Sequence, residues 1–398
     1  MNTMLDKNKI ILNAYHLKKC KLVIDMRCEV EDLLWDYADE RFSDFAKHTL
    51  IPGAVYVIGR EQMAQYQSQF RELAENGTIK IVFSHPAEGA STLRNHCVYE
   101  YNIGDLLLSK KMLLVGGAEM PSEWTCLAYE NFLPKVRKPD ENIVAMTRMN
   151  EIYEKLEKPY KFLFLNGRFR AHRKYLLERF AQTGLLDQSI WTNLDSQAGP
   201  RGAGPWFYQG QDLMSLPRPV KFLEPKYEID RYAVNMQNNF ENHFVKPELF
   251  KVSNQSEWGD IYIKPDMYVD TYFSLVTETV FDYTHSFRTE KIWKPIAMGH
   301  PWIVAANAGY YRDIQNLGFK TFGHLIDESF DQIEPHWQRA NRIVDIVEDL
   351  CKQDLASFLK ECYTVCKYNQ ELMIEKHPQI RQAFPLRFFK FLMQNNFQ

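Results

Sequence analysis

Several signatures of well-known protein classes are missing from this 398-residue sequence. No run of 18 apolar residues occurs, so we expect no membrane-spanning helix. The seven cysteines include no Cys-x-x-Cys pair, and we expect reduced thiols rather than a disulfide framework. The dinucleotide fingerprint GxGxxG and the phosphate loop GxxxxGKS/T are missing, as is an Asp-x-Asp pair for Mg²⁺. A kinase or another enzyme built on a phosphate loop is therefore disfavoured.

A strong excess of one charge is missing as well, since 48 Lys and Arg residues balance 51 Asp and Glu residues. This balance argues against a protein whose whole surface binds nucleic acid, although it leaves room for a local basic cleft. The opening residues, MNTMLDKNKIILNAYHLKKC, contain no apolar leader segment with a small-residue cleavage site. We therefore expect a cytoplasmic protein.

Short apolar runs alternate with helical periods along the chain, which predicts an α/β fold. Four runs in the first third are predicted strands: KLVIDM (21–26), AVYVIG (54–59), IKIVFS (79–84) and KMLLVGG (111–117). The segments 31–50 and 60–77 between them are predicted helices. Continuous apolar strands separated by helices are typical of a parallel sheet that is covered on both faces. The pattern restarts at YKFLFLNG (160–167), so we expect two Rossmann-like α/β domains in series.

A charged connector with two prolines, LPKVRKPDEN (133–142), suggests where the domains divide. We predict an N-terminal domain over 1–135 and a C-terminal domain over 150–375. Residues 376–398 are predicted to form a helix that packs back onto the N-terminal domain. Their mixture of basic residues and phenylalanine leaves membrane contact as the alternative. The Gly- and Pro-rich segment 196–218 is predicted to be a mobile loop.

Basic residues gather where the predicted strand 160–167 meets the next helix, in NGRFRAHRKYLLERF. Arg168, Arg170 and Arg173 fall just before or within the first turn of that helix. Cations at a helix N-terminus oppose the helix dipole by about 0.3–1 kcal/mol each, which predicts an anion that they share. The bidentate hydrogen bonds of arginine suit phosphate oxygens. The alternative is a solvated basic helix start that pairs with Glu178.

Two further segments bring charge to the same predicted sheet edge, where open α/β sheets bind ligands. Glu278 lies near the end of the apolar run FSLVTETVFD, where a carboxylate either binds sugar hydroxyls or is paired in the core. In FRTEKIWKPIAMGHPWIV, Thr289 is the predicted helix cap, and Glu290 is favourable with the dipole. Lys291 is unfavourable there unless it faces a diphosphate. Adjacent residues on a helix point apart, so we do not expect Glu290 and Lys291 to pair.

This arrangement resembles the donor-binding segment of the α-1,3-fucosyltransferase family and, more loosely, the exostosin-type glycosyltransferases. The resemblance covers about residues 160–325, and the residues that carry it are Val276–Thr279, Arg288–Trp293, Ala297–Gly299 and Pro301–Val304. The segment from Asn166 resembles the family's upstream Asn…Arg turn. The sequence departs from the family pattern at Thr279, where the family has Asn, and at Lys294-Pro295, where it has Asn-Ala. The first half of the chain carries no motif of the family.

The resemblance implies a GT-B fold, in which two Rossmann-like domains face each other across a cleft. It implies an inverting, metal-independent transfer from a nucleotide-sugar, UDP- or GDP-linked, with no further cofactor. Lys291 with Arg170 or Arg173 would bind the diphosphate, while Glu278 and Glu290 would bind ribose or sugar hydroxyls. Arg168 and Thr289 complete the predicted donor site, with Tyr272 or Tyr283 available to stack.

The acceptor is either a glycan or a hydroxylated nucleobase in DNA. The DNA alternative predicts a basic rim, to which Arg201, Arg218 and Lys221 beside the Gly/Pro loop would contribute. The aromatic part of that loop, GPWFYQGQ (204–211), could stack an acceptor base or sugar. A non-catalytic protein of the same fold that binds nucleotide-sugar or glycan is the alternative function.

Inverting transfer needs a general base that takes the proton of the acceptor hydroxyl. The stretch IVFSHPAEGAS places His85 and Glu88 directly after a predicted strand of the N-terminal domain. We predict Glu88 as the base and His85 as the second candidate. Glu119 and Glu123 are weaker rivals, and the alternative is a turn whose Glu88 is simply exposed to solvent.

Overall fold

A computed structural model describes residue 12 and residues 17–120, 123–138, 140–166, 170–193, 262–281 and 285–397. Several residues with a predicted ligand role lie outside the described residues: Arg168, Tyr283 and the 196–221 stretch with its aromatic and basic side chains. The contacts divide the chain into two units. Unit 1 comprises Met1–Asn131 with Lys376–Gln398, and unit 2 comprises Phe132–Glu375.

Unit 1 is built on a six-stranded sheet in the order β2-β1-β3-β4-β5-β6, and every neighbouring pair is parallel. The strands are β1 (Leu22–Asp25), β2 (Glu40–Phe42), β3 (Val55–Gly59), β4 (Lys80–His85), β5 (Met112–Gly116) and β6 (Cys126–Ala128). The central strands are almost entirely buried and apolar, as a parallel sheet covered on both faces requires. The four strands predicted in this region are confirmed.

Short helices connect these strands: α1 (Glu31–Leu34), α2 (Arg60–Gln65), α3 (Gln67–Glu75), α4 (Ala90–Asn95) and α5 (Gly104–Leu108). The helix predicted over 31–50 is wrong, because the chain there forms only α1, two 3₁₀ turns and the edge strand β2. Asp39 accepts a hydrogen bond from the Leu22 backbone N–H at 2.7 Å, and this contact sets the following residues beside β1. Asp44 then caps the second turn by accepting from Ala46 N at 3.1 Å.

Unit 2 is built on a four-stranded parallel sheet in the order β10-β9-β7-β8. The strands are β7 (Tyr160–Asn166), β8 (Ile190–Asn193), β9 (Thr271–Thr277) and β10 (Trp302–Ala305). Phe162 and Phe273 stack on neighbouring strands with ring centroids 5.4 Å apart. The described fold is therefore α/β with two parallel sheets, as the alternation of apolar runs and helical periods predicts.

Among the described residues of unit 2, the helices that precede the last one are α6 (Phe132–Arg137), α7 (Asp140–Met146), α8 (Met149–Glu154), α9 (Ala171–Gln182), α10 (Pro265–Val269), α11 (Glu290–Met298), α12 (Tyr310–Asn316) and α13 (His336–Leu350). Helix α11 runs through Pro295 and ends at Gly299, whose φ is +63°. A Cβ atom at Gly299 would lie 2.4 Å from the Met149 sulfur, so both the backbone conformation and the space favour glycine.

The last helix, α14 (Leu355–Gln394), contains the boundary between the two units. Phe384, Phe388 and Leu392 in its second half are buried in the core of unit 1, together with Leu22 and Val57. Within the described part of the chain, no helix combines the length and the apolar composition that crossing a bilayer requires.

Candidate functional site

In unit 2, the carboxyl ends of β7 and β9 meet the N-terminal ends of α9 and α11. The side chains at the two strand ends are bonded to each other, since Thr277 Oγ1 donates to Asn166 Oδ1 at 2.8 Å. This is the edge at which open α/β sheets bind ligands, because the free N–H groups of the helices point there.

Glu278 follows β9 and is fully buried. Its Oε1 accepts from Thr289 N at 3.0 Å and from the Tyr310 hydroxyl at 3.1 Å, and its Oε2 accepts from Thr289 Oγ1 at 2.7 Å. Burial raises the pKa of Glu278, while the charge of Lys291 and the Thr289 donors act to lower it. In this structure Glu278 anchors the segment that leads into α11, and its oxygens are occupied by protein donors.

Thr289 is the N-cap of α11, as predicted: its hydroxyl oxygen accepts from Lys291 N at 3.4 Å. Lys291 Nζ lies 3.1 Å from the same hydroxyl and 2.5 Å from Glu290 Oε1. The expectation that Glu290 and Lys291 would not pair is wrong. They occupy the first turn of the helix, where no earlier turn stands in the way and the long lysine side chain folds back toward the N-terminus.

The Glu290–Lys291 pair is only partly open to solvent, with side-chain exposures of 7% and 23%. Burial acts to raise the pKa of Glu290, but the charges of Lys291 and Lys294 together with the hydrogen bonds to the carboxylate outweigh it and lower the pKa. Glu290 is therefore ionised at neutral pH. The edge thus presents one anion and one cation side by side at a helix N-terminus.

Two basic side chains at the start of α9 are used for contacts within the protein. Arg173 is buried, and its guanidinium donates to the Thr277 carbonyl at 2.9 Å. His172 donates to the Glu278 carbonyl at 3.0 Å and stacks on Phe281. Burial and the neighbouring arginine hold the pKa of His172 well below its ordinary value, so the ring is neutral. Residues 277 and 278 therefore tie the start of α9 to the start of α11.

Arg170 is the residue before α9 and has an extended backbone, with φ −149° and ψ 145°. Its side chain is half-buried. Tyr272, the predicted stacking residue, uses its hydroxyl to donate to the Leu156 carbonyl at 2.9 Å. Tyr272 lies near the start of β9. The register pairs Tyr160 with Thr271, so the starts of β7 and β9 lie together at the amino edge of the sheet, opposite the edge that carries Glu278. This position does not favour its predicted stacking role.

The corresponding edge of the unit 1 sheet carries His85 and Glu88. His85 ends β4 and is 2% exposed, and its Nε2 lies 3.3 Å from His96 Nδ1. Its Nδ1 lies 3.4 Å from Glu29 Oε1. Glu88 is half-buried in the following turn, and its carbonyl accepts from Gly117 N at 2.8 Å. The predicted rivals Glu119 and Glu123 are both exposed.

Two residues of this second edge, Glu29 and His96, are not among the sequence predictions. Glu29 follows the carboxyl end of β1, where the buried Asp25 accepts from Gly59 N at 2.9 Å and so joins the ends of β1 and β3. His96 begins the π-helical turn His96–Glu100 that continues α4. A search for titratable residues after every predicted strand would have found Glu29. No spacing rule would have found His96, because its position depends on that turn.

Among the described residues, no group of three or more His, Cys, Asp or Glu side chains is arranged to hold a metal ion. No protein-family model matches the chain, and a search among curated proteins returns no similar sequence. The functional argument therefore depends on the geometry of the two sheet edges.

Proposed function

We propose that this protein is a glycosyltransferase of the GT-B class, which moves a sugar from a nucleotide-sugar to an acceptor hydroxyl. The observation that carries the proposal is the Glu290–Lys291 pair at the N-terminus of α11. It lies at the carboxyl edge of a parallel sheet, where α/β proteins bind nucleotides. The site at this edge would take the nucleotide-sugar donor.

A diphosphate would be a second anion, beside Glu290, for the lysine in the first turn of α11. A cation there is disfavoured by about 0.3–1 kcal/mol, whereas an anion is favoured by both the helix N-terminus and the lysine. During transfer, negative charge develops on the diphosphate oxygen that leaves the sugar. A fixed ammonium group and a helix N-terminus stabilise that charge without rearrangement, and this supports a metal-independent reaction.

Glu290 complements the phosphate-binding groups, because an ionised carboxylate accepts hydrogen bonds from the two hydroxyls of a ribose or sugar. Glu278 has the role of a positioning residue, since its oxygens hold Thr289 and Tyr310. We propose a UDP- or GDP-linked donor. The acceptor is a glycan or a hydroxylated nucleobase in DNA. Assays of sugar transfer to each of them distinguish these two acceptors.

Calorimetric titration of the full chain with UDP, GDP, UMP and GMP tests the donor site. One nucleoside diphosphate should bind more tightly than its monophosphate. Lys291→Ala should weaken its binding by about 10- to 150-fold, because a hydrogen bond to a charged group contributes about 1.5–3 kcal/mol. Lys291→Arg retains the charge and should lose less affinity.

Lys352→Ala is the matched control, because Lys352 pairs with Asp349 at 2.9 Å on the surface after α13. Its loss should leave the affinity unchanged, since exposed ion pairs contribute little. The proposal fails if neither diphosphate binds, or if folded Lys291→Ala binds as tightly as the wild type. Binding without sugar transfer to glycan or to hydroxylated DNA would instead favour the non-catalytic alternative.

A further inference from the structure

Two lysines are the residues of α11 that are partly open to solvent. The other seven residues of this nine-residue helix, Glu290 among them, are buried, which leaves Lys291 and Lys294. Residues three apart lie on the same face of a helix, so the open face of α11 carries two ammonium groups. Like charges at this spacing destabilise a helix, and cations near its N-terminus oppose the dipole. The pattern therefore indicates negative charge that the two lysines share.

Glu290 is one negative charge within reach of both lysines. Lys291 Nζ lies 2.5 Å from Glu290 Oε1. Lys294 follows Glu290 by four residues, which is the order and spacing in which a glutamate and a lysine attract each other on a helix. Burial acts to raise the pKa of Glu290, and the charges of both lysines act to lower it. Two cations from one helix face therefore support this buried carboxylate.

Other charged groups near Glu290 leave it dependent on the same two lysines. Glu278, after β9, is a like charge: burial raises the pKa of Glu278, and the charge of Glu290 acts in the same direction. Helix α6 packs beside α11 and carries Lys135 and Arg137 in its last turn. The two lysines of α11 are nevertheless the charges that act most strongly on Glu290.

A diphosphate at this edge would change the balance. In the structure the ammonium group of Lys291 contacts Thr289 Oγ1 at 3.1 Å and Glu290 Oε1 at 2.5 Å. The negative charges of a diphosphate would attract the same ammonium group and would raise the pKa of Glu290 as like charges. One lysine does not neutralise both anions. A buried carboxylate that loses its cation either costs free energy or takes up a proton.

We infer that Lys294 is the ion partner of Glu290 when a diphosphate engages Lys291. This inference rests on the proposed function, because it concerns the same donor site. Lys294 is then a positioning residue for donor binding. It keeps both oxygens of Glu290 as acceptors for the hydroxyls of the ribose or sugar, whereas a protonated carboxyl group would present a donor instead of one acceptor.

Calorimetric titration of the full chain with UDP and GDP near pH 7 tests the inference, in buffers that differ in their enthalpy of ionisation. A proton that is taken up on binding comes from the buffer, so the measured heat then depends on the buffer. Lys294→Gln should bind the tighter nucleotide about 10- to 100-fold more weakly than the wild type. It should also take up more protons on binding than the wild type, since Glu290 loses its second cation.

A second background separates this role from a purely structural one. Glu290→Gln removes the charge that Lys294 is proposed to hold, so adding Lys294→Gln to it should cost little further affinity and take up no further proton. Equal losses of affinity in both backgrounds, without proton uptake, would mean that Lys294 only supports the helix or contacts the phosphate directly. That result would overturn the inference.

Lys155→Gln is the matched control. Lys155 Nζ lies 2.5 Å from Asp270 Oδ1, in an ion pair that is partly open to solvent at the amino edge of the same sheet. Loss of this pair should leave nucleotide affinity and proton uptake as in the wild type, because exposed ion pairs contribute little.

The support of Glu290 by Lys294 can also be measured without a nucleotide, by NMR of protein that carries ¹³C in its glutamate carboxyl groups. Glu290→Gln assigns the signal. In Lys291→Gln, Glu290 should keep a lower pKa than in the Lys291→Gln/Lys294→Gln double variant, since one cation remains. Equal pKa values in these two variants would overturn the inference.

The outcomes distinguish the inference from the proposed function. If Lys294→Gln binds nucleotide as tightly as the wild type, the role of Lys294 falls and the donor site stands. If UDP and GDP both fail to bind the wild type, the proposed function falls, and the role of Lys294 in donor binding falls with it. Weaker binding with added proton uptake, both abolished in the Glu290→Gln background, would support the inference.

Discussion

The hydroxyl group of Thr289 is expected to stabilise the start of α11 by about 3 kcal/mol, and Thr289→Val tests this. The residue is 2% exposed, and valine preserves its shape. The substitution removes the donor to Glu278 Oε2 at 2.7 Å and the acceptor of Lys291 N and Nζ, at 3.4 and 3.1 Å. The Thr289 backbone N–H still reaches Glu278, so the carboxylate keeps part of its support.

The magnitude follows from two separate losses. Removing an N-cap side chain costs about 1 kcal/mol, and removing a hydrogen bond to a charged group costs about 1.5–3 kcal/mol. Their sum is about 2.5–4 kcal/mol. Thr289→Ser keeps the hydroxyl and loses one buried methyl group, which costs about 0.8 kcal/mol. The difference between the two variants therefore measures the hydroxyl itself.

Hydrogen–deuterium exchange, followed by mass spectrometry on a peptide covering α11, reports the local opening free energy. Exchange in Thr289→Val should be faster than in the wild type by about 60- to 700-fold, since each 1.4 kcal/mol is tenfold. In Thr289→Ser the increase should stay below about tenfold. Equal exchange rates in the two variants would show that the Glu278–Thr289–Lys291 network does not hold the helix start.

Two further predictions concern stability. Complete burial lowers the pKa of His300 in the folded protein to about 3, whereas the unfolded ring has a pKa of about 6.5. Between these two pKa values only the unfolded chain binds the proton, so the free energy of unfolding falls by about 1.4 kcal/mol for each pH unit as the pH drops. Urea unfolding should show a shallower pH dependence in His300→Gln, and parallel curves would contradict the reasoning. Phe388→Ala, in the core of unit 1, should cost about 3–5 kcal/mol in the same assay, and Ile374→Ala, 41% exposed, should cost far less.

The strands could be predicted because the signal is local. An uninterrupted apolar run such as VYVIG is buried on both faces, and every residue of β3 is buried in the structure. The edge strand β2 could not be predicted in this way. Its three residues Glu40–Phe42 are exposed, half-buried and buried in turn, and they form a strand because Asp39 fixes the chain beside β1. That contact depends on tertiary structure, which a sequence window does not contain.

The candidate site residues also include some that could be predicted from the sequence and some that could not. The cap Thr289 follows from residue type and position, because the side chain and the helix start are adjacent in sequence. The Glu290–Lys291 pair and the His85–His96 pair depend on the path of the chain instead. The first forms because a helix start is open on one side, and the second because a π-helical turn redirects His96. Rules based on spacing in regular helices do not cover either case.

The charge balance at the unit 2 edge constrains how a nucleotide-sugar would be held. Because the pKa of Glu290 is lowered, the Glu290–Lys291 pair is close to neutral in the free protein. A nucleoside diphosphate carries more negative charge than one lysine neutralises. The balance would then come from Lys294, from the N-terminus of α11 and from the cations that precede α9, of which Arg170 is half-buried at the helix start. Donor binding at this edge would therefore depend on both helix starts together, and Glu278 and Thr277 fix the geometry of those starts by bonding to each.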